Sequence, residues 1–167
     1  MTRDVHGQEK RPVSCGVLTL SDTRTLATDA SGDRIVELLL GAGHTVTQRA
    51  LIADDPAALQ AEIARFSAYT PTVEVLISTG GTGFSRRDIT CDVLSGLFAK
   101  TLPGFGELFR SLSYAEIGAR AMLSRADAGL IGEMVVFALP GSRAAVETAM
   151  TRLILPELSH LVRLVRE

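Results

Sequence analysis

The 167-residue sequence predicts an α/β fold, a three-layer sandwich in which helices cover both faces of a mostly parallel central sheet. Three observations carry that prediction. Short apolar runs bounded by breakers recur along the chain, as buried strands require. Segments with helical spacing of apolar residues separate them, and each run feeds a polar or glycine-rich loop. Strands that alternate with helices pair in parallel through right-handed crossovers.

Residues 1–12 are polar and charged and are expected to form a flexible arm ahead of a single domain, residues 13–167. Residues 13–20 are the first apolar run and end at Ser21-Asp22-Thr23. Asp29 or Ser31 caps the next helix, Ile35, Leu38 and Leu39 share its apolar face, and Gly41 and Gly43 stop it. Residues 44–52 alternate well enough for a second strand. Asp55-Pro56 opens a helix by cap and first-turn proline, with Leu59, Ile63 and Phe66 in helical register, and Pro71 ends it. Residues 73–78 are the third strand and run straight into Thr79-Gly80-Gly81-Thr82-Gly83. Helical material resumes near Thr90, passes Gly104 and Gly106, and continues irregularly to about Ser124. Residues 134–139 are the last strong strand, followed by Pro140-Gly141-Ser142. The closing helix carries Val146, Met150, Leu153, Ile154, Leu158 and Leu161, with a kink expected at Pro156.

Composition excludes several classes of function. With 17 Lys+Arg against 19 Asp+Glu, 5% aromatic residues and no Trp, the chain lacks the basic excess and stacking aromatics of a general nucleic-acid binder. Cys15 and Cys91 make neither a disulfide framework nor a metal-ligand spacing, so a reduced, cytoplasmic setting is expected. No apolar signal region or membrane-length run occurs. His6, His44 and His160 are too scattered to predict a zinc site. Lys10 and Lys100 are the only lysines. Arginine supplies the remaining cations, and its planar fork suits phosphate.

Ligands of such sheets bind beyond the carboxyl ends of the strands, where strand order reverses. The loops at residues 21–28, 53–55, 79–88 and 140–142 should open on that edge. Consecutive N–H groups from Gly80, Gly81 and Gly83, with the Thr79 and Thr82 hydroxyls, can converge on an anion. The alternative is a tight turn that only packs strand against helix. Asp88, just after Arg86-Arg87, reads as a Mg²⁺ ligand beside that phosphate cradle or as the cap of the helix near Thr90. Asp54 faces the same edge. It either shares the capping of Asp55 or is left over for another task. Ser142 should cap the last helix and leave its first N–H groups to an anion. Arginines and aspartates are expected to concentrate together along this edge.

Thr79-Gly80-Gly81-Thr82-Gly83, Arg86-Arg87-Asp88-Ile89-Thr90, Pro103-Gly104-Phe105-Gly106-Glu107, Ser124-Arg125 with Ala128-Gly129, and Pro140-Gly141-Ser142 stand in a characteristic order and spacing. In this the chain resembles, from about Val13 onward, the molybdenum cofactor biosynthesis proteins of the MoaB/MogA type. Their eukaryotic relatives are the molybdopterin adenylyltransferase domains of gephyrin and its plant counterpart. The resemblance implies the molybdopterin-binding fold, assembly as a homotrimer or homohexamer, and binding of molybdopterin. In active members it implies adenylylation of molybdopterin by ATP with Mg²⁺. By position, Asp54 and Asp88 match the family's two functionally important aspartates, expected to be catalytic and to hold Mg²⁺, and residues 79–83 match its phosphate turn. Ser21, Asp22, Arg87, Gly104, Glu107, Arg125, Pro140, Gly141 and Ser142 complete the expected substrate- and phosphate-binding set, with Arg86, Arg87 or Arg125 supplying fork contacts.

Cys91 departs from the pattern, since proline is common there. Residues 41–44 and 109–113 resemble the B-type members, some of which bind pterin without clear catalysis, whereas Arg86-Arg87-Asp88 resembles the adenylyltransferases. Two readings therefore stand, an adenylyltransferase and a catalytically silent pterin-binding oligomer, either one serving a downstream molybdate-insertion protein. A third, a nucleotide-processing enzyme like the competence-damage proteins, is weaker because the sequence lacks their extra domain. With so few aromatics, a pterin is expected to be held by backbone and polar contacts.

Overall fold

The structure, a computed structural model, describes residues 11–69 and 72–167. Its first half alternates as expected: β1 (Ser14–Leu20), α1 (Ala30–Gly41), β2 (Thr45–Ile52), α2 (Pro56–Ser67) and β3 (Val75–Thr79). The second half is α3 (Thr90–Leu97), β4 (Lys100–Thr101), α4 (Pro103–Ile117), β5 (Asp127–Ile131), β6 (Met134–Leu139), α5 (Arg143–Ala149) and α6 (Leu155–Arg166). The six strands form one sheet in the order β2-β1-β3-β6-β5-β4. β2, β1, β3 and β6 run parallel, while β5 pairs antiparallel with β6 and with β4. β4 and β5 correct the sequence reading, which took residues 90–124 as helical and saw no strand between them and residue 134. Alternation with helices fails here because β5 and β6 form a hairpin about Gly132, whose φ is +58°.

Period-2 burial divides the core between the two faces. Val75 and Ile77 of β3 and Val135, Phe137 and Leu139 of β6 pack with α1, α4, α5 and α6, while Leu76, Met134, Val136 and Ala138 pack with α2 and α3. Each fully buried Leu, Ile or Phe contributes about 1.5–3 kcal/mol. This apolar filling, rather than any crosslink, holds the layers, and both cysteines are free and buried.

Caps explain the helix starts. Asp29, not Ser31, caps α1 by accepting from the Gly32 N–H, and Asp55 caps α2 by accepting from Ala58 at 2.7 Å. Asp29 is wholly buried and also accepts from Thr19 Oγ1 at 2.6 Å and Arg49 at 3.0 Å. Burial pushes its carboxyl up, and these bonds outweigh burial to leave it below the usual range. The closing helix is interrupted by a π segment at Met150–Ile154, where the Leu155 N–H reaches back five residues to the Met150 carbonyl. Pro156 then sits in the first turn of α6.

At the far end of the sheet, Glu74 gathers Arg11 at 2.7 Å, the Ser14 N–H at 2.9 Å, and Arg166. The expected arm falls outside the described residues up to residue 10, as does the expected helix stop at Pro71. Arg11 itself is tied down, and its carbonyl accepts from Ser159 Oγ at 2.9 Å.

Candidate active site

The chain leaves β1 for β2 on one side and later returns to β3 on the other, so strand order reverses between β1 and β3. The carboxyl ends of these strands lie side by side there, as ligand sites of open sheets require. Gly80 presses so close to β1 that a Cβ on it would stand 2.3 Å from the Leu20 carbonyl oxygen. Gly80 and Gly81 have φ of +103° and +65°, which only glycine adopts without strain. A cleft of about 420 Å³ opens over this turn, bounded by residues 80–83, Asp88, Ser124, Pro140 and Gly141.

Several donors expected to face a ligand are used by the protein itself. The Thr79 hydroxyl donates to the Pro140 carbonyl at 2.9 Å, and the Gly80 N–H donates to Leu139 at 3.0 Å. These two bonds latch the β3 turn to the β6 turn. The Gly83 N–H is directed to the Asp88 carboxylate. Among the described residues, the Gly81 and Thr82 N–H groups are the turn's donors without a protein acceptor. The expected cradle is therefore narrower than three glycine amides. The Ser21 hydroxyl accepts from the Thr23 and Arg24 N–H groups and closes its own turn. Ser142 caps α5 by accepting from Ala145 at 3.2 Å. The Gly141 carbonyl accepts from Ser31 Oγ at 2.8 Å and Arg24 at 3.1 Å, which pins the third loop to α1.

The two aspartates differ. Asp88 does not cap α3, whose N-cap is Ile89. Its carboxylate accepts from the Ser85 N–H at 2.8 Å, and its own N–H returns to the Ser85 carbonyl at 3.1 Å. Burial raises its carboxyl, but the bonds from Ser85 and Gly83 win and hold it below the usual carboxylate range. Asp54 is the leftover carboxylate, since Asp55 does the capping. Its Oδ1 is buried without a hydrogen-bond partner, and a Cβ on Gly81 would stand 3.3 Å from it. Burial first, and then the Asp22 charge, push the Asp54 carboxyl up, with Asp88 adding to the shift and Arg87 opposing it. Asp22 meanwhile accepts from the Asp54 N–H at 3.0 Å and fixes the β2 loop.

Three expected contacts lie differently. Arg125 has all three guanidinium nitrogens engaged, by Gly83, Asp88 and Asp92. Gly104 lines an apolar groove between α4 and α6. Glu107 lies in a neighbouring polar cleft with Arg110, Ser124 and Arg125. Arg86 and Arg87 are exposed and form no ion pair among the described residues. The sequence reading missed Phe84. It stands 79% exposed on the loop after the glycine turn, while every other phenylalanine is buried or half-buried. A lone aromatic between Gly83 and Ser85 has no periodicity, and that is the signal that could have marked it.

A family model described as "Probable molybdopterin binding domain" matches residues 16–160, which include every loop of the site. The chain belongs to this molybdopterin-binding family. A curated relative from Bacillus anthracis, molybdenum cofactor biosynthesis protein B, is 48% identical over 155 residues, covering 92% of this chain and 91% of its own. A crystal structure of a molybdenum cofactor biosynthesis protein B is 46% identical and superposes with a TM-score of 0.91 over 95% of this chain and 99% of its own. The Pyrococcus furiosus tungsten cofactor synthesizing protein MoaB is 38% identical, with a TM-score of 0.82 over 95% and 99%. The family's three-layer fold is thus the one the sequence predicts. No described helix is long and apolar enough to cross a membrane.

Proposed function

We propose that this member of the molybdenum cofactor biosynthesis family binds molybdopterin in the cleft over the glycine turn and adenylylates it with ATP and Mg²⁺. The observation that carries the reading is Asp54 Oδ1, a buried acceptor without a partner beside the turn that offers the Gly81 and Thr82 N–H groups. An unpaired buried acceptor costs about 1–3 kcal/mol. Its retention beside the Gly81 and Thr82 N–H groups supports a ligand-binding turn over one that only packs strand against helix.

That orphaned oxygen also tests the fit to Mg²⁺. Among the described residues no group of three or more His, Cys, Asp or Glu side chains is set to enclose a metal ion. Mg²⁺ needs no such cage, because it is held by one or two carboxylates together with substrate phosphates. Asp54 and Asp88 fit that pattern and would hold it, and bound Mg²⁺ would neutralise phosphate charge.

In the reaction, the phosphate oxygen of molybdopterin forms a bond to the α-phosphorus of ATP. The bond from that phosphorus to the β-bridging oxygen breaks, and pyrophosphate leaves with its electron pair. The chain's own part is positioning. The Gly81 and Thr82 N–H groups donate to phosphate oxygens, Arg86 and Arg87 stand free to fork them, and the Thr79–Pro140 latch keeps the two loops in register. Exposed Leu102, Leu108, Tyr114, Ile117 and Leu164 supply apolar surface for assembly as a homotrimer or homohexamer. The product would pass to a molybdate-insertion protein in the cytoplasm.

A second reading, a pterin-binding oligomer without catalysis, is favoured by the B-type names of the relatives at 46–48% identity. Incubating the protein with molybdopterin and MgATP separates the two. The adenylyltransferase releases pyrophosphate and forms adenylylated molybdopterin, and Asp88→Ala abolishes turnover far more than pterin binding. Binding without product favours the second reading.

A further inference from the structure

The segment from Gly83 to Asp88 is an arch that carries exposed Phe84, Arg86 and Arg87, and its two end residues line the cleft. Both of its ends meet one side chain. Arg125 Nε donates to the Gly83 carbonyl at 2.8 Å, and its NH2 group donates to the Asp88 carbonyl at 2.5 Å. The remaining NH1 group donates to Asp92 at 2.7 Å, on the first turn of α3. The backbone of Arg125 is fixed as well. Its N–H donates to the Thr82 carbonyl at 2.9 Å, and its carbonyl accepts from the buried Cys91 thiol. Inside the arch, the Asp88 carboxylate takes the Ser85 N–H. The loop is thus closed twice, by Asp88 from within and by Arg125 from without.

We propose that Arg125 is a positioning residue, with Asp92 as its anchor: it clamps the two ends of the arch so that Arg86 and Arg87 meet phosphate, and it makes no phosphate contact itself. A guanidinium suits this task because three nitrogens in one plane reach two carbonyls and a carboxylate together. An ammonium offers a single centre and cannot span the arch. Three of its five N–H groups, one on each nitrogen, already serve Gly83, Asp88 and Asp92, so the protein's own acceptors fix the plane of the guanidinium.

This inference rests on the proposed function for its catalytic meaning, and the arch can be tested separately. Arg86 and Arg87 are themselves trypsin sites, so limited trypsin digestion of the full chain without ligand reads how firmly the arch is held. Arg125→Lys and Arg125→Gln should both speed cleavage after Arg86 or Arg87 by about tenfold or more, and Asp92→Asn by about threefold, with global melting temperature recorded alongside. In steady-state assays with MgATP and molybdopterin, both Arg125 variants should raise KM by about ten- to a hundredfold, and lysine should give no rescue.

Asp92→Asn decides the sign. A clamp predicts a higher KM, whereas a direct phosphate contact predicts a lower KM because the fork is freed. Rescue by lysine, a lower KM for Asp92→Asn, or unchanged trypsin cleavage in all three variants overturns the proposal. If wild type turns over no MgATP, the proposed function fails, and the trypsin result still decides the clamp.

Discussion

Asp54→Asn should stabilise the ligand-free protein while destroying its activity. The substitution keeps the shape of the side chain and removes its charge. In the wild type, Asp54 Oδ1 is buried without a partner, and Asp22 and Asp88 both oppose its ionisation. The Asp22 bond survives the change, because its donor is the backbone N–H of residue 54. An unpaired buried acceptor costs about 1–3 kcal/mol and more when charged, so neutralising it should return about 1 kcal/mol. For a chain of this size that is about 2–4 °C in melting temperature.

The pH dependence fixes the sign independently. The folded-state carboxyl lies above its unfolded value, so the folded protein binds the proton more readily and this group's penalty grows as pH rises through the raised value. The advantage of Asp54→Asn should therefore be largest at pH 7 and shrink toward pH 4. Thermal unfolding with a chelator present, from pH 4 to 7, measures both effects. A variant that melts several degrees below wild type at pH 7 would show that Asp54 is structural and refute the reasoning.

Three other outcomes follow from the same geometry. Gly81→Ala forces a side chain to φ +65° with its Cβ 2.4 Å from Thr90 Oγ1, which bonds the Gly80 carbonyl, and should cost about 1–3 kcal/mol in denaturant unfolding together with loss of MgATP binding. Asp29 has the opposite sign to Asp54: its carboxyl is lowered, so its stabilisation is present above the unfolded value and is lost as pH falls through the folded one, and Asp29→Asn should flatten the acid limb of the stability curve. Burial pushes the Cys15 thiol up to about 12 and the Cys91 thiol up to about 11, so an aromatic disulfide reagent at pH 8 should titrate neither in the native protein and both after unfolding.

Local chemistry made much of the fold legible. Asp55-Pro56 announces α2 because cap and proline act within one turn, and the glycine turn announces the end of β3 because positive φ demands glycine. β4 and β5 were hidden for physical reasons. Lys100 and Thr101 form a two-residue exposed edge strand, and Asp127 to Ile131 contains Asp and Gly where strands prefer branched residues, so tertiary pairing alone makes them strands. The meeting of the loops after β1, β2, β3 and β6 at the switch point was legible from topology. The destinations of the loops' hydrogen bonds were not. That Gly80 donates to Leu139, or that Arg125 spans Gly83 and Asp88, depends on partners dozens of residues away. Ion pairs also form among residues that the sequence reading did not single out: Arg34 pairs with Glu147, Arg65 with Glu62 and Arg11 with Glu74.

The proposed chemistry is adenylyl transfer in the cleft over the glycine turn. Its most direct test follows molybdopterin and MgATP with the purified protein by chromatography and pyrophosphate release. Adenylyl transfer gives stoichiometric pyrophosphate and adenylylated molybdopterin, with neither formed when Mg²⁺ is chelated or Asp54 is replaced by Asn. Tight molybdopterin binding without pyrophosphate or adenylylated product would contradict it.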